Sequence, residues 1–401
     1  MVTLEFKNLS FNKTEKGISV RFLKYYSCLI GNEMLKEYGK VEAHGNKIAF
    51  ENIKDEKYAK KIFIRILNKK FIEISSIITK NPTTYIHKNS GIPLIGLRYI
   101  GIQDRGTNLL EVKPITGCNA GCTFCSVDEG ISSKKTHDFV VEKDYLVEET
   151  RRLLDYKNFK GMHIYINVHG EPLLYADLPE LIHDLRQHST VEKATIITNG
   201  MLLTPDLMKQ LFNSGLTGLH ISISGSSPES AKKLMGINSY NLSMVKKKAL
   251  LAKENDLEVT ITPVWLNGVN DDDIEMLIKW CKENNLKIRI QKFCRNKAGR
   301  NPVKEISWKE FYDKICNLEK KYDYKLKEEL YQLPKTRTYP SPMRLNEIVN
   351  VKILCSGRYD TEKICYAKDR LISLPGCVKE KGDIKVKIVH TKDNIFIAKQ
   401  L

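Results

Sequence analysis

Between residues 109 and 293, apolar β-type runs and helix-patterned stretches take turns six times, and no other feature of the chain limits its fold as much. The runs are 109–115, 163–168, 194–198, 218–224, 258–264 and 287–293. Between them lie helical patterns at 142–154, 178–188, 206–214, 229–235 with 243–254, and 271–283. Strands that are each followed by a helix pair with one another in parallel, and a parallel sheet needs helices over it. Side chains that carry chemistry then belong at the carboxyl ends of the strands.

The end of the first run satisfies that expectation. Residues 111–130 read EVKPITGCNAGCTFCSVDEG, which puts Cys118, Cys122 and Cys125 in C-x-x-x-C-x-x-C spacing on a loop opened by Gly117. Three thiolates on one tight loop can hold three corners of a cubane iron–sulfur cluster, where most such clusters take four cysteines. The fourth iron is then left for a ligand other than protein. A zinc site, or three unrelated core cysteines, are the alternatives. Zinc usually takes four protein ligands, often as two C-x-x-C pairs, and no matching pair follows here.

The spacing, with Phe124 directly before the third cysteine, resembles the radical S-adenosylmethionine (SAM) superfamily. The resemblance implies that SAM chelates the open iron through its amino and carboxylate groups. An electron from the reduced cluster then breaks the sulfonium bond, and a 5′-deoxyadenosyl radical abstracts hydrogen from substrate. Later strand ends are similar to the family as well. His169-Gly170-Glu171-Pro172 resembles its G-E-P motif, where the strand-end backbone and Glu171 would receive the SAM amino group. His169 stands where relatives often have glycine, and is a candidate to face the substrate. Thr198-Asn199-Gly200 is similar to the T-N-G turn near the ribose. Ser222 and Ser224 occupy a strand end that is acidic in many relatives; they keep hydrogen bonding to the ribose or carboxylate of SAM but remove a charge. Residues 262–271, with Asn267, resemble the adenine-side turn, and Asn270 or Asp271 would cap the next helix. After the sixth run, Cys294 is a candidate to quench a radical or contact substrate, and Arg295, Lys297 and Arg300 would face the same mouth and suit a phosphate-bearing substrate. The likeness covers roughly residues 107–295 and implies an α/β fold, a partial (βα)6 TIM-like barrel.

Charge matters once it is divided along the chain. The net +17 splits into +9 for residues 1–105, +7 for residues 335–401 and +1 for everything between. Basic ends beside a neutral centre are the footprint of a polyanion binder, whereas a generally lysine-rich composition would raise the charge everywhere. Residues 1–105 alternate at 18–22 and 47–50 and are helical at 56–67, which predicts a small α+β domain; Lys54, Lys57, Lys60, Lys61 and Arg65, extended by Lys69 and Lys70, either form a solvated helix face or touch RNA. Residues 86–106, with Gly91, Pro93, Gly96 and Gly101, read as an irregular connection, and 336–343, with Pro340 and Pro342, as a linker. Five short runs at 350–354, 363–367, 370–374, 384–389 and 394–398 predict a small closed β-barrel over 345–401. Its pattern resembles the TRAM and oligonucleotide-binding barrels of RNA-modifying enzymes. Cys355, Cys365 and Cys377 there are barrel core or ligands of an auxiliary cluster. The catalytic core is expected over 107–330.

No apolar run approaches the ~20 residues of a membrane span, and the amino terminus lacks the apolar stretch of a signal peptide. Ten cysteines without a secretory signal read as thiols and metal ligands, so a cytoplasmic protein is expected. The leading expectation is an enzyme that uses a [4Fe–4S] cluster and SAM to modify RNA, above all a tRNA nucleotide, with a donor such as ferredoxin or flavodoxin. A peptide, protein or small cofactor precursor is the alternative substrate, and a non-catalytic Fe–S RNA-binding protein the alternative class. Methylation stays open. Methylthiolation would call for a second cluster in a cysteine-rich amino-terminal domain, where Cys28 stands alone.

Overall fold

The computed structural model describes residues 1–327 and 333–401; the expected core boundary at 330 lies outside them. Its centre is a sheet of six parallel strands, β1 (Leu109–Lys113), β2 (Met162–Ile166), β3 (Val191–Thr198), β4 (Gly218–Ile221), β5 (Glu258–Ile261) and β6 (Lys287–Ile288), in sequential order. The helices are α1 (Lys143–Lys157), α2 (Leu178–Arg186), α3 (Pro205–Asn213), α4 (Pro228–Met235), α5 (Leu242–Glu254), α6 (Asp271–Glu283) and, after β6, α7 (Trp308–Tyr322). Each starts where its sequence permits. Thr204, Ser227 and Asn241 accept the N–H groups of Leu207, Ser230 and Met244, which the first turns of α3, α4 and α5 would otherwise leave unpaired.

Alternate residues of the strands face different media. Met162, Ile164 and Ile166 are fully buried. Truncating any of these three to Ala should cost roughly 2–5 kcal/mol. The other face is polar. Glu111 binds Lys113 there, His163 Nε2 lies 2.8 Å from Thr195 Oγ1, and the Tyr165 hydroxyl lies 3.0 Å from His220 Nδ1. Burial depresses His163 and His220 to about 4, so both rings are neutral at pH 7. The sheet is not closed. Among the described residues its edges are β6 and an antiparallel strand, Gly101–Asp104.

That edge strand lies inside the stretch expected to be an irregular connection. Thr83–Ile86 also pairs in parallel with Asp138–Val141, and Ile86, Leu94, Leu97 and Ile100 belong to the main core. The glycines that signalled a loop serve close contact instead. A Cβ on Gly96, at φ +137°, would meet the Leu371 carbonyl at 2.1 Å.

The amino-terminal module is a seven-stranded antiparallel sheet covered on one face by the helix Glu56–Lys70. Ala59, Ile62, Phe63, Ile66 and Leu67 of that helix pack on Phe11, Val20, Ile30 and Phe50. Cys28 sits in the same cluster, and burial pushes its thiol up to about 11.

At the other end, Ile348–Ser356, Lys363–Ala367, Arg370–Leu374, Ile397–Gln400 and Gly382–His390 close into a five-stranded barrel. Cys365 and Cys377 lie in its core, whereas Cys355 is half-buried against the main core. The proline-bearing segment before it is a strap rather than a free linker. Its Thr336 and Tyr339 amides donate to Gly106 O and Asp104 Oδ2, and the Arg337 carbonyl accepts from buried Lys157. Among the described residues no helix is long and apolar enough to cross a membrane.

Candidate functional site

The cysteine loop leaves β1 and is held from three directions. The Gly117 N–H donates to His169 O at 3.2 Å and its carbonyl accepts the Glu171 N–H at 2.9 Å, so the loop is laced to the turn after β2. Gly170, at φ +147°, has to lack a side chain, because a Cβ would lie 2.0 Å from the Gly117 carbonyl. Further along, the Gly121 and Thr123 amides donate to Met235 O and Leu234 O at the end of α4, at 2.9 and 3.0 Å. Gly236 ends that helix at φ +62°, where a Cβ would stand 2.0 Å from the Gly121 carbonyl.

The third hold comes from the loop after β6. Arg300 donates through Nε to Asp128 Oδ1 at 2.7 Å, through Nη1 to the Cys122 carbonyl at 2.8 Å and through Nη2 to the Glu129 carbonyl at 3.1 Å. The expectation that Arg300 faces a substrate phosphate is therefore corrected: its guanidinium is committed to the cysteine loop. From the carboxyl-terminal barrel, fully buried Arg358 reaches the same region. It pairs with Glu129 and Asp138 and donates to Thr116 Oγ1 and His137 O. Glu129 also binds Lys135, and its own N–H points at Cys125 Sγ, 3.3 Å away.

These holds place the three thiols on the wall of one cavity of about 270 Å³. Phe124, Gly170, Glu171, Thr198, Asn199 and Ser222 line it too, and Lys292, Cys294 and Asn296 stand on the same wall. Glu171 is 1% exposed. Its Oε1 accepts from Thr198 Oγ1 at 2.5 Å and from the Leu173 N–H at 3.1 Å, and its Oε2 accepts the Asn199 N–H at 2.8 Å. Burial raises its carboxyl to about 7 against the pull of those donors. Glu171 thus clasps the turn after β2 to the turn after β3. Asn199 continues the clasp, with Nδ2 2.8 Å from Asn119 Oδ1 and 3.9 Å from Cys118 Sγ.

Four candidate residues lie off the cavity. Pro172 begins a short 3-10 turn and is buried. Ser224 joins β4 to the turn after β5, its hydroxyl accepting the Val264 N–H at 3.1 Å. Asn267 is half-buried, with Oδ1 unpartnered. His169 packs 6.4 Å from the Tyr99 ring, and burial beside Lys113 and Lys135 keeps it neutral. Asn270 does not cap α6 with its side chain; Oδ1 accepts the Leu266 N–H and Nδ2 donates to Ser224 O and Val264 O, which fixes the turn. The Asp271 carboxylate accepts from Trp265 Nε1 and the Gly268 N–H. Arg358 was beyond sequence reasoning. Its partners lie more than 200 residues away, and only the fold brings them together.

The residues present fit a three-cysteine cluster. Cys118, Cys122 and Cys125 are unbridged. Burial pushes Cys118 well up and Cys122 up to about 12, so these thiols become thiolates only when a bound cation supplies the compensating charge. Among the described residues no three His, Cys, Asp or Glu side chains are gathered closely enough to hold a single metal ion. Next to the thiols the cavity offers backbone, hydroxyl and amide groups for a polar organic ligand.

Residues 112–281 match the Radical SAM superfamily. An uncharacterized protein of Methanocaldococcus jannaschii is 31% identical over 397 residues, which span 90% of this chain and 91% of that protein. GTP 3′,8-cyclase of Clostridium botulinum is 26% identical over 221 residues, 53% of this chain and 66% of the cyclase. Among solved structures, Streptococcus suis SuiB bound to S-adenosylmethionine superposes with a TM-score of 0.42 at 15% identity, covering 82% of this chain and 73% of SuiB.

Proposed function

The chain belongs to the radical SAM superfamily, and from that premise we propose that it modifies RNA in the cytoplasm, with a tRNA nucleotide as the unit altered. Its cofactors are those of the superfamily, a [4Fe–4S] cluster and SAM. When bound, they supply one-electron cleavage of a sulfonium bond and abstraction of a hydrogen atom from substrate.

The chain's own residues prepare the place for that chemistry. Cys118, Cys122 and Cys125 would hold three iron corners, and the Ala120 and Glu129 amides, 3.4 and 3.3 Å from Cys118 Sγ and Cys125 Sγ, would stabilise negative charge on sulfur. Glu171, spent on Thr198 and Asn199, fixes the two turns between which SAM would lie. Asn199 and Ser222 present polar groups to it, and Phe124 supplies an apolar part of the same wall. Cys294 stands on the cavity wall 3.8 Å from Lys292 Nζ, where its S–H can donate to a substrate radical or touch the substrate. A ferredoxin or flavodoxin would supply the electron.

The observation that carries the RNA reading is the placement of charge, +9 and +7 on the flanks against +1 between them. The barrel supports it. Lys387 faces Lys399 across paired strands, and with exposed Lys352 and Lys385 they make no ion pair among the described residues. Like charges set opposite each other cost stability unless an anion lies over them. A TRAM-like role for this barrel follows. The test is anaerobic reconstitution, then SAM and dithionite with and without bulk cellular RNA. The expected outcome is 5′-deoxyadenosine together with a nucleoside of altered mass in the RNA digest. 5′-Deoxyadenosine with unaltered RNA would overturn the RNA reading. The likeness to GTP 3′,8-cyclases favours a second reading, a free purine nucleotide, and GTP in place of RNA distinguishes it.

A further inference from the structure

Charge and aromaticity coincide on the rim beyond β6. Lys292 to Lys309 contain six Lys or Arg against one acidic residue, in a catalytic region whose total is +1. Two of the six are committed, Arg300 to the cysteine loop and Lys292 to Glu305. Arg295, Lys297, Lys304 and Lys309 are exposed and, among the described residues, make no ion pair. Ser307 caps α7 by accepting the Glu310 N–H at 3.1 Å, and the turns that follow leave Trp308 54% and Tyr312 45% exposed. Lys292 Nζ sits 4.9 Å from the centre of the Trp308 ring, and the Trp308 and Tyr312 rings stack with centroids 5.8 Å apart at 26°. Phe311, buried against Trp265, anchors the helix that carries them. Lys292 is also a wall of the cavity, so the stack begins where the reaction space ends.

Rings left in water on a stretch of chain that also carries four unpaired, exposed cations complement a ligand that is both flat and anionic. An acidic peptide supplies the charge without the flat face, and an apolar partner supplies neither charge nor reason for the lysines. We propose that Trp308 and Tyr312 form a stacking platform for a nucleobase, with Arg295, Lys297, Lys304 and Lys309 meeting its phosphate. The inference rests on the RNA reading and deepens it: a nucleotide beside the target docks on α7 while the target enters the cavity. The same chemistry is found in a free nucleotide, so both sources belong in the test.

The experiment uses the anaerobically reconstituted full chain and its Trp308→Phe and Trp308→Ala/Tyr312→Ala variants, with total cellular RNA and separately GTP as probes. Circular dichroism and iron content check that each variant is folded and loaded. Wild type should bind RNA with quenching of tryptophan emission. The double alanine variant should bind roughly ten-fold more weakly, and Trp308→Phe should retain binding while losing most of the quench. Binding of GTP but not RNA, weakened by the same variants, would uphold the platform and overturn the RNA reading. RNA bound equally by wild type and the double variant would overturn the platform and leave the RNA reading standing. Wild type that binds neither probe would overturn both.

Discussion

Arg358 compresses the energetics of the molecule into one side chain. It is 1% exposed and belongs to the carboxyl-terminal barrel, yet its charge is balanced by Glu129 and Asp138 of the catalytic core. Arg358→Met would leave two buried carboxylates short of a partner, at a cost of roughly 3–5 kcal/mol. Urea unfolding should register that loss, and Arg358→Met/Glu129→Gln/Asp138→Asn should recover part of it. A single variant as stable as wild type would disprove the pairing. Glu171 teaches a related lesson. As one residue of a G-E-P-like motif it was legible in the sequence, but its hydrogen bonds to Thr198 and the Asn199 amide were not, because they span 27 and 28 residues.

Elements set the register of the site. The end of α4 carries the middle of the cysteine loop on two backbone hydrogen bonds, and Gly236 makes the approach possible. Gly236→Ala would put a methyl group against the Gly121 carbonyl in a backbone conformation unfavourable by ~1 kcal/mol or more. Iron content after reconstitution should fall well below wild type while the far-ultraviolet spectrum is preserved; full loading would refute the hold of α4 on the cysteine loop. The strands predict a pH response. His163 and His220 titrate near 4 in the fold against about 6.5 in an open chain. Below pH 6.5 the unfolded state takes up protons that the folded state refuses, so stability is whole above 6.5 and is lost as the pH falls toward 4, by up to about 3 kcal/mol per histidine. The thermal midpoint should drop over that interval, and less so in His163→Gln/His220→Gln. An equal drop in the variant would remove these rings as the cause.

At the scale of the whole molecule, the barrel is built into the core rather than hung from it. The Leu371 and Phe396 amides donate to Ile95 O and Gly96 O, Leu371 joins the main core, and Arg358 braces the cysteine loop. A chain ending before residue 345 should therefore lose iron and melt at lower temperature, where a tethered module would leave both unchanged. RNA affinity belongs to this scale too. About four phosphate contacts imply a loss of roughly 10²-fold between 50 and 200 mM salt, and an affinity flat across that range would refute the basic surfaces as the grip.

The amino-acid sequence by itself determined the six-fold strand–helix repeat, the five runs of the barrel and the three-cysteine loop, because periodicity and spacing are local and survive in one dimension. The tertiary structure alone decided what the loops do. Residues 86–106 became an edge strand, the proline segment a strap and Arg300 a clamp, and Trp308 and Tyr312 came to stand beside Lys292. Each of those outcomes depends on which distant carbonyl, carboxylate or ring lies opposite, and that is set by packing across the whole chain.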